Sequence, residues 1–309
     1  MRNQFLDPGM AQEIDNLVDR VHRDLGHPVG AVELAAVRDL LHLDLHYYSA
    51  ADPSLLQEVV HKMRIGTKQI IRRPAFLLEA IAKFDLKALF LSDRKRILLD
   101  SDLPDLKKRW SESHEIIHGL VPWHKEFMLG DTKETLSPGC HQQLEGEANY
   151  GAGRLLFPHR VMSEFARSAS PSMAHVKAIA THFDNTITSA LWRYVEYCDT
   201  PCLGIIGEHP HHIPTDAKPV AYYIRSRRFE VEFASITEEA VFELIRGHCS
   251  YKKAGPLGSS EWILRDERGI AHAFRAETFS NRYQVLTLAN HRRPVPVTVG
   301  SVTVSADLT

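Results

Sequence analysis

The sequence predicts an α+β protein with two parts: a mainly helical part with a small sheet at residues 1–197, and an α+β module with an antiparallel sheet at residues 198–292. Two observations support this class. Apolar residues recur at helical spacing through most of the first part, whereas short runs typical of strands dominate after Cys202. Segregated runs of helices and strands are typical of α+β proteins. Residues 293–309 are predicted to form a tail.

The composition indicates a globular protein without a membrane span. The chain has 309 residues and a formal net charge of −2, which gives it no general attraction to nucleic acid or anionic membranes. No apolar run reaches the roughly 20 residues that cross a bilayer, and the first residues lack the apolar segment of a signal peptide. Four scattered cysteines fit a reducing compartment. We therefore expect a cytoplasmic protein.

Proline and glycine stops separate the elements. In the first part we expect helices over residues 11–25, 31–42, 53–63 and 74–83, and strands over residues 43–48, 86–91 and 96–99. In the C-terminal module we expect one helix over residues 236–246 and strands over residues 203–207, 220–226, 228–233, 262–265, 271–278 and 283–289.

A further helix, predicted to end near Gly119, contains residues 114–118, which read His-Glu-Ile-Ile-His, the HExxH arrangement. Because positions i and i+4 lie on one face of a helix, His114 and His118 can bind one metal ion between them, and imidazole nitrogen suits Zn²⁺. Glu115, at the edge of that face, could take a proton from water that the metal makes more acidic. Two histidines one turn apart also occur on structural helices, so this motif alone does not decide the function.

The strand predicted before this helix offers a place for a peptide substrate. An exposed edge strand can pair with an extended peptide through main-chain hydrogen bonds. We expect residues 96–99 to form such an edge beside the metal helix.

A second helix, predicted from Ser137 to Phe157, contains Glu145 and Asn149 one turn apart. Small residues would let it pack closely on the HExxH helix; they are Gly146, Ala148, Gly151, Ala152 and Gly153. We therefore expect Glu145 to be the third ligand, completing a catalytic zinc set with one open position. Asn149 could accept a hydrogen bond from a ligand imidazole. Glu147 lies about 200° further round the helix and is expected to face away.

His124 is the competing third ligand. It follows His114 by ten residues, which is the spacing of the third histidine in metzincin proteases. Those proteases have a glycine three residues after the second histidine, where this chain has Val121, and no Met-turn sequence follows. His124 could instead contact substrate.

The stretches RWSESHEIIHG and CHQQLEGEANYGAGRLLFP resemble the ImmA/IrrE family of metallo-endopeptidases. The family pattern is HExxH on one helix and a later helix of the form E-x-x-A-N…A-x-x-L-L-x-P. Its last positions are matched here by Glu145, Ala148, Asn149, Ala152, Leu155, Leu156 and Pro158. The resemblance covers residues 10–195 and does not extend to the C-terminal module.

This resemblance implies a zincin-like catalytic domain with one zinc ion bound by His114, His118 and Glu145, and with Glu115 as the catalytic base. It also implies a protein partner. Family members cleave helix-turn-helix repressors of the Xre kind, which relieves repression in stress responses or in mobile elements.

Three further features of the sequence give weaker signals. Oxyanion or substrate contacts could come from Tyr194, Arg193 or His182. A second metal site could be formed by Cys198, Cys202, His209, His211 and His212. Residues 174–196 have the spacing of a helix-turn-helix but no excess of basic residues, so direct DNA binding is not expected.

Two functions are open at this point. The favoured one is a zinc-dependent endopeptidase that cleaves a Xre-type repressor, with the C-terminal module as a sensor or docking platform. The alternative is a non-catalytic regulator that binds DNA, a repressor or a ligand and has a structural zinc ion.

Overall fold

The structure, a computed structural model, describes residues 2–3, 5–48, 88–91, 95–124 and 138–295. The helices predicted over 53–63 and 74–83, and most of the predicted tail, lie outside these residues.

The chain divides into two compact units. The helical unit comprises Gln4–Ser168 and Ala178–Ala190, and the sheet unit comprises Met1–Asn3, Ala169–Lys177 and Leu191–Thr309. The boundary predicted at residue 198 falls inside the sheet unit, seven residues after Leu191.

Besides residues 122–124, which are also helical, the helical unit has five helices in the part of the chain that the structure describes. They are α1 (Pro8–Asp24), α2 (Leu34–Leu41), α3 (Asp105–Leu120), α4 (Pro138–Leu156) and α5 (His159–Arg167). Two more, α6 (Met173–His182) and α7 (Ile187–Tyr197), contain residues of both units and confirm the predicted helix pair. Helix α1 begins where the Asp7 carboxylate accepts hydrogen bonds from two backbone N–H groups of the first turn.

A three-stranded sheet completes the helical unit. Its strands are β1 (Asp44–Tyr48), β2 (Ala88–Leu91) and β3 (Arg96–Asp100), in the order β1-β3-β2. Strand β1 is parallel to β3, and β2 is antiparallel to it.

The prediction that residues 96–99 form an exposed edge is wrong. Strand β3 is the central strand, and Ile97, Leu98 and Leu99 are at most 1% exposed. Consecutive buried residues are typical of a strand that is covered on both faces. In the sheet that the described residues form, β2 is an edge strand, and α3 packs against it.

Helices α3 and α4 approach each other closely, as the small residues of α4 predicted. A Cβ atom added at Gly151 would lie 2.7 Å from Ile117 Cγ2, a distance that real Cβ contacts do not show. Gly151 therefore allows the two helices to pack at a separation that a larger residue would prevent.

The sheet unit is built on a five-stranded antiparallel sheet. Its elements are β4 (Cys202–Gly207), β5 (Val220–Arg225), α8 (Arg227–Glu232), α9 (Glu238–His248), β6 (Gly255–Arg265), β7 (Ala271–Ser280) and β8 (Val285–Pro294). The strand order is β5-β4-β8-β7-β6, and each neighbouring pair is antiparallel. This arrangement confirms the predicted α+β class and the antiparallel sheet of the C-terminal module.

The strand predicted over residues 228–233 is wrong, because this segment forms helix α8. Phe229 and Phe233 are one helical turn apart, both are buried, and their ring centroids are 5.0 Å apart. Val231, which a strand would place on the same face as the two phenylalanines, is 69% exposed. The Ser226 hydroxyl accepts a hydrogen bond from the Phe229 N–H and so begins the helix.

Among the helices that the structure describes, none combines the length and the apolar character needed to cross a bilayer.

Candidate metal centre

Helix α3 places the HExxH residues against the core of the helical unit. Ile116 and Ile117 are fully buried and fix the orientation of the helix, so the neighbouring face presents His114 and His118 one turn apart. Glu115 follows His114 directly and is 7% exposed.

The structure brings the three predicted ligands together, and we call His114, His118 and Glu145 the metal cluster. The two imidazole Nε2 atoms are 3.1 Å apart. The Glu145 carboxylate lies 3.2 Å from Nε2 of His114 and 3.6 Å from Nε2 of His118. Helix α4 supplies Glu145 because it packs along α3.

These separations fit a tetrahedral zinc ion. Ligand atoms at roughly 2.0–2.1 Å from such an ion are about 3.3–3.4 Å from one another. The observed separations of 3.1, 3.2 and 3.6 Å lie on both sides of that value. Two imidazoles and one carboxylate are also a donor set of catalytic zinc sites, which keep a fourth position for water or substrate.

The electrostatics of the metal cluster favour a cation. Burial by itself would raise the pKa of the Glu145 carboxyl, but hydrogen bonds from both imidazoles hold it well below its usual range. Burial would lower the pKa of His114, yet the hydrogen bond that His114 donates to the Glu145 carboxylate and the charge of Glu115 raise it overall. Burial dominates at His118 and lowers its pKa. The cluster therefore contains an ionised carboxylate and an imidazole, that of His114, which is more basic than usual.

Asn149 lies where the sequence predicted it. Its Oδ1 is 3.2 Å from Nδ1 of His114, the ring nitrogen that points away from the metal cluster. An amide oxygen can only accept, so His114 donates from Nδ1, and once Nε2 has lost its own proton it has a lone pair for a metal.

His124 does not lie where a substrate contact would require. It is fully buried, and its two ring nitrogens bond to Nδ1 of His118 and to Oε2 of Glu147, each at 3.0 Å. His124 is also not one of the residues whose ligand atoms converge in the metal cluster. The predicted substrate contact of His124 is therefore corrected, because no surface of this side chain can reach a peptide.

Glu147 is a functional candidate that sequence reasoning set aside. Its side chain is fully buried and accepts hydrogen bonds from Trp123 Nε1 at 2.7 Å and from Gln143 Nε2 at 2.8 Å, besides the bond to His124. These bonds outweigh the effect of burial and lower its pKa. An ionised side chain in the core needs such hydrogen-bond partners. Two polar aromatic residues just after α3, Trp123 and His124, were the signal in the sequence that could have identified Glu147 as a buried carboxylate.

The three other substrate-contact candidates are either bonded to another residue or buried. In the helical unit, His182 Nε2 lies 2.8 Å from the Val29 backbone oxygen, to which it can donate. In the sheet unit, the Arg193 guanidinium bonds to the Glu196 carboxylate at 2.8 Å. Tyr194 is 1% exposed, and burial raises its pKa well above the usual value. The bonds of His182 and Arg193 and the burial of Tyr194 account for the three side chains without an oxyanion role.

The predicted second metal site is not present among the described residues. Cys202 is fully buried, and His209 and His211 each bond through Nε2 to a backbone carbonyl oxygen at 3.0 Å. Within the described ranges, the metal cluster is the group of three whose ligand atoms all lie within 4.8 Å of one another.

No protein-family model matches this chain, and no curated protein matches it. One of the solved structures that match this chain is a Mycobacterium tuberculosis transcriptional regulator, at a TM-score of 0.49 and 11% sequence identity. The similarity covers 92% of this chain and 77% of that chain. A likeness this distant carries no argument about what this chain does.

Proposed function

We propose that this chain is a zinc-dependent endopeptidase whose helical unit is a zincin-like catalytic domain of the ImmA/IrrE kind. The proposal depends on one observation, the convergence of two imidazole Nε2 atoms and the Glu145 carboxylate at separations of 3.1–3.6 Å. The order of the two motifs, HExxH before E-x-x-A-N, supports the same function.

The side chains of the site divide into three metal ligands and one base. Zinc, when bound, supplies a Lewis acid that polarises a peptide carbonyl and makes water more acidic. His114, His118 and Glu145 bind the ion. Glu115 takes a proton from the attacking water on its carboxylate and then gives that proton to the leaving amide nitrogen. One carboxylate thus acts first as general base and then as general acid.

An extended peptide could bind along β2, which replaces the strand first predicted for this task. Within the described sheet β2 pairs with β3 on one side, and its other side faces no described strand. Main-chain hydrogen bonds to this edge would align a peptide beside α3. We propose a cytoplasmic Xre-type repressor as the substrate, because members of the family that the two motifs resemble cleave such repressors.

The test uses the full chain with one equivalent of zinc, incubated with purified Xre-type repressors, and detects cleavage products by mass spectrometry. Glu115→Gln should bind zinc as the wild type does and should cleave at least about 100-fold more slowly, because the amide cannot accept the proton. Glu164→Gln is the matched control: this carboxylate of α5 is 64% exposed and should be replaceable without loss of activity.

Two results would count against the proposal. Cleavage by Glu115→Gln at a rate near that of the wild type would remove Glu115 as the base. Stoichiometric zinc with no turnover of any repressor would favour the alternative, a regulator that binds its partner and uses zinc structurally.

A further inference from the structure

A buried imidazole and a buried carboxylate extend inward from the metal cluster. Nδ1 of His118 lies 3.0 Å from Nδ1 of His124, and Nε2 of His124 lies 3.0 Å from Oε2 of Glu147. The side chains of His124 and Glu147 have no exposed surface. A chain of hydrogen bonds therefore runs from one predicted ligand, through a second imidazole, to a carboxylate.

The partners of Glu147 fix the direction of the bond that it shares with His124. The Trp123 indole N–H can only donate, and it donates to Oε2 at 2.7 Å. The Gln143 amide donates to Oε1 at 2.8 Å. Both bonds favour the ionised carboxylate, and a carboxyl group is a stronger acid than an imidazolium, so the proton of the shared bond lies on His124 Nε2, which donates to Glu147.

The same reasoning fixes the tautomer of His118 when it binds a metal. A neutral imidazole that donates from Nε2 accepts at Nδ1, so His124 accepts a hydrogen bond from the His118 Nδ1–H. His118 then has a lone pair at Nε2, which is the atom 3.1 Å from Nε2 of His114 and 3.6 Å from the Glu145 carboxylate. The hydrogen-bond chain thus directs a metal-binding lone pair toward the metal cluster.

The two predicted ligands differ in what supports them. Nδ1 of His114 bonds to the amide oxygen of Asn149, an exposed neutral group, at 3.2 Å. Nδ1 of His118 bonds to a chain that is fully buried and ends in a negative charge. A ligand imidazole that donates a hydrogen bond toward a carboxylate becomes a more basic ligand. Such bonds are stronger away from water.

We propose that His124 and Glu147 are positioning residues for the metal: they fix His118 in its Nδ1-protonated tautomer and strengthen its Nε2 as a zinc donor. This inference rests on the zinc site of the proposed function but not on proteolysis. It assigns a role to two buried polar residues whose removal would leave the three ligands themselves unchanged.

The test measures zinc binding to the full chain by competition with a chelator, and cobalt binding by visible absorption, both without any peptide. Glu147→Gln and His124→Phe should each weaken zinc binding by about 10–100-fold and alter the cobalt spectrum. His124→Gln, whose amide can both accept and donate a hydrogen bond as a neutral imidazole does, should recover part of the loss. Tyr150→Phe is the matched control on α4: it removes a hydrogen bond to Asp15 and should leave the zinc affinity unchanged.

The results separate this inference from the function on which it rests. Zinc affinities within twofold of the wild type in both variants would overturn the positioning role, even if the variants were less stable. A wild type that binds no zinc would overturn the metal site as a whole. Nitrogen-15 NMR of the zinc-loaded wild type provides a measurement that needs no variant. It should show protons on Nδ1 of His118 and on Nε2 of His124, and a His118 proton on Nε2 would refute the proposal.

Discussion

Replacing Gly151 by alanine tests whether the close approach of α3 and α4 builds the metal cluster. The added Cβ would lie 2.7, 3.0 and 3.1 Å from three carbon atoms of the Ile117 side chain. Carbon atoms in contact prefer separations of about 3.5–4.0 Å, so the closest overlap is about 0.8 Å. Either Ile117 changes its side-chain conformation or the helices move apart.

Two contributions of opposite sign set the change in the free energy of unfolding. Alanine favours a helix over glycine by roughly 1 kcal/mol. Overpacking a core costs about 1–3 kcal/mol, and Ile117 is fully buried and β-branched, so it has few alternative conformations. We expect a net loss of up to about 2 kcal/mol. If the helices separate, Glu145 moves away from the imidazoles and zinc binding weakens as well.

Gly146→Ala is the matched control, because it makes the same change on the same helix without an overlap. The nearest atom to its added Cβ would be Cδ2 of Leu6, at 4.0 Å. This variant should be more stable than the wild type by roughly 1 kcal/mol. Denaturant unfolding and chelator competition for zinc should be measured on both. If Gly151→Ala were as stable as Gly146→Ala and bound zinc equally well, the packing argument would be refuted.

Three further changes test other parts of the structure. Glu145→Gln should weaken zinc binding by more than the roughly 100-fold typical of changes to outer partners, since it removes a ligand charge; chelator competition measures this. Although burial opposes them, Glu145 and Glu115 raise the pKa of His114 in the metal-free protein, so a proton competes with zinc. The apparent zinc affinity should fall by about tenfold per pH unit below that pKa and level off above it, as a titration series would show. Ser226→Ala should lower the free energy of unfolding by about 1–3 kcal/mol in denaturant unfolding, because this hydroxyl accepts hydrogen bonds from two backbone N–H groups.

Each of these changes has an outcome that would contradict its reasoning. Wild-type zinc affinity in Glu145→Gln would exclude that residue from the ligand set. A zinc affinity that did not change as the pH was lowered would mean that no proton on His114 competes with the ion. Unchanged stability in Ser226→Ala would mean that α8 does not depend on its cap.

The metal cluster could be predicted because its determinants are local. The four-residue spacing of His114 and His118 follows from helix geometry alone, and the small residues of α4 indicated which helix would pack closely on α3. Glu145 and Asn149 are one turn apart on that helix, so packing this face of α4 against α3 places both residues at the metal cluster. In the structure, the two ring nitrogens of His114 lie 3.2 Å from a Glu145 oxygen and 3.2 Å from the Asn149 oxygen.

The errors arose where two patterns were equally consistent with the local sequence. Phe229, Val231 and Phe233 alternate as in a strand, but the two phenylalanines are also one helical turn apart. The Ser226 cap and the stacked rings decide for the helix. Strand β3 was placed at an edge because its parallel partner, β1, comes from residues 44–48, and no local pattern encodes a pairing that distant.

The role of His124 and Glu147 was missed for a different reason. The step of about 200° from Glu145 to Glu147 correctly indicated a different direction for the second carboxylate. What the second carboxylate would contact in that direction was not predicted, and the structure places it in the core beside the segment that follows α3. Sequence patterns give the face of a helix but not which loop covers that face.

Because of the charges around the metal cluster, a proton and a divalent cation compete for the same imidazole nitrogen of His114. A zinc ion bound by two neutral imidazoles and the Glu145 carboxylate has one positive charge in excess, which the nearby Glu115 carboxylate offsets. Without the ion, both carboxylates act on His114, and for that reason its pKa is raised. At His118 burial lowers the pKa, and the buried chain behind it already uses the Nδ1 proton. Below the raised pKa of His114, zinc binding should therefore release a proton from that residue, whereas the lowered pKa of His118 leaves its Nε2 able to bind the metal at neutral pH.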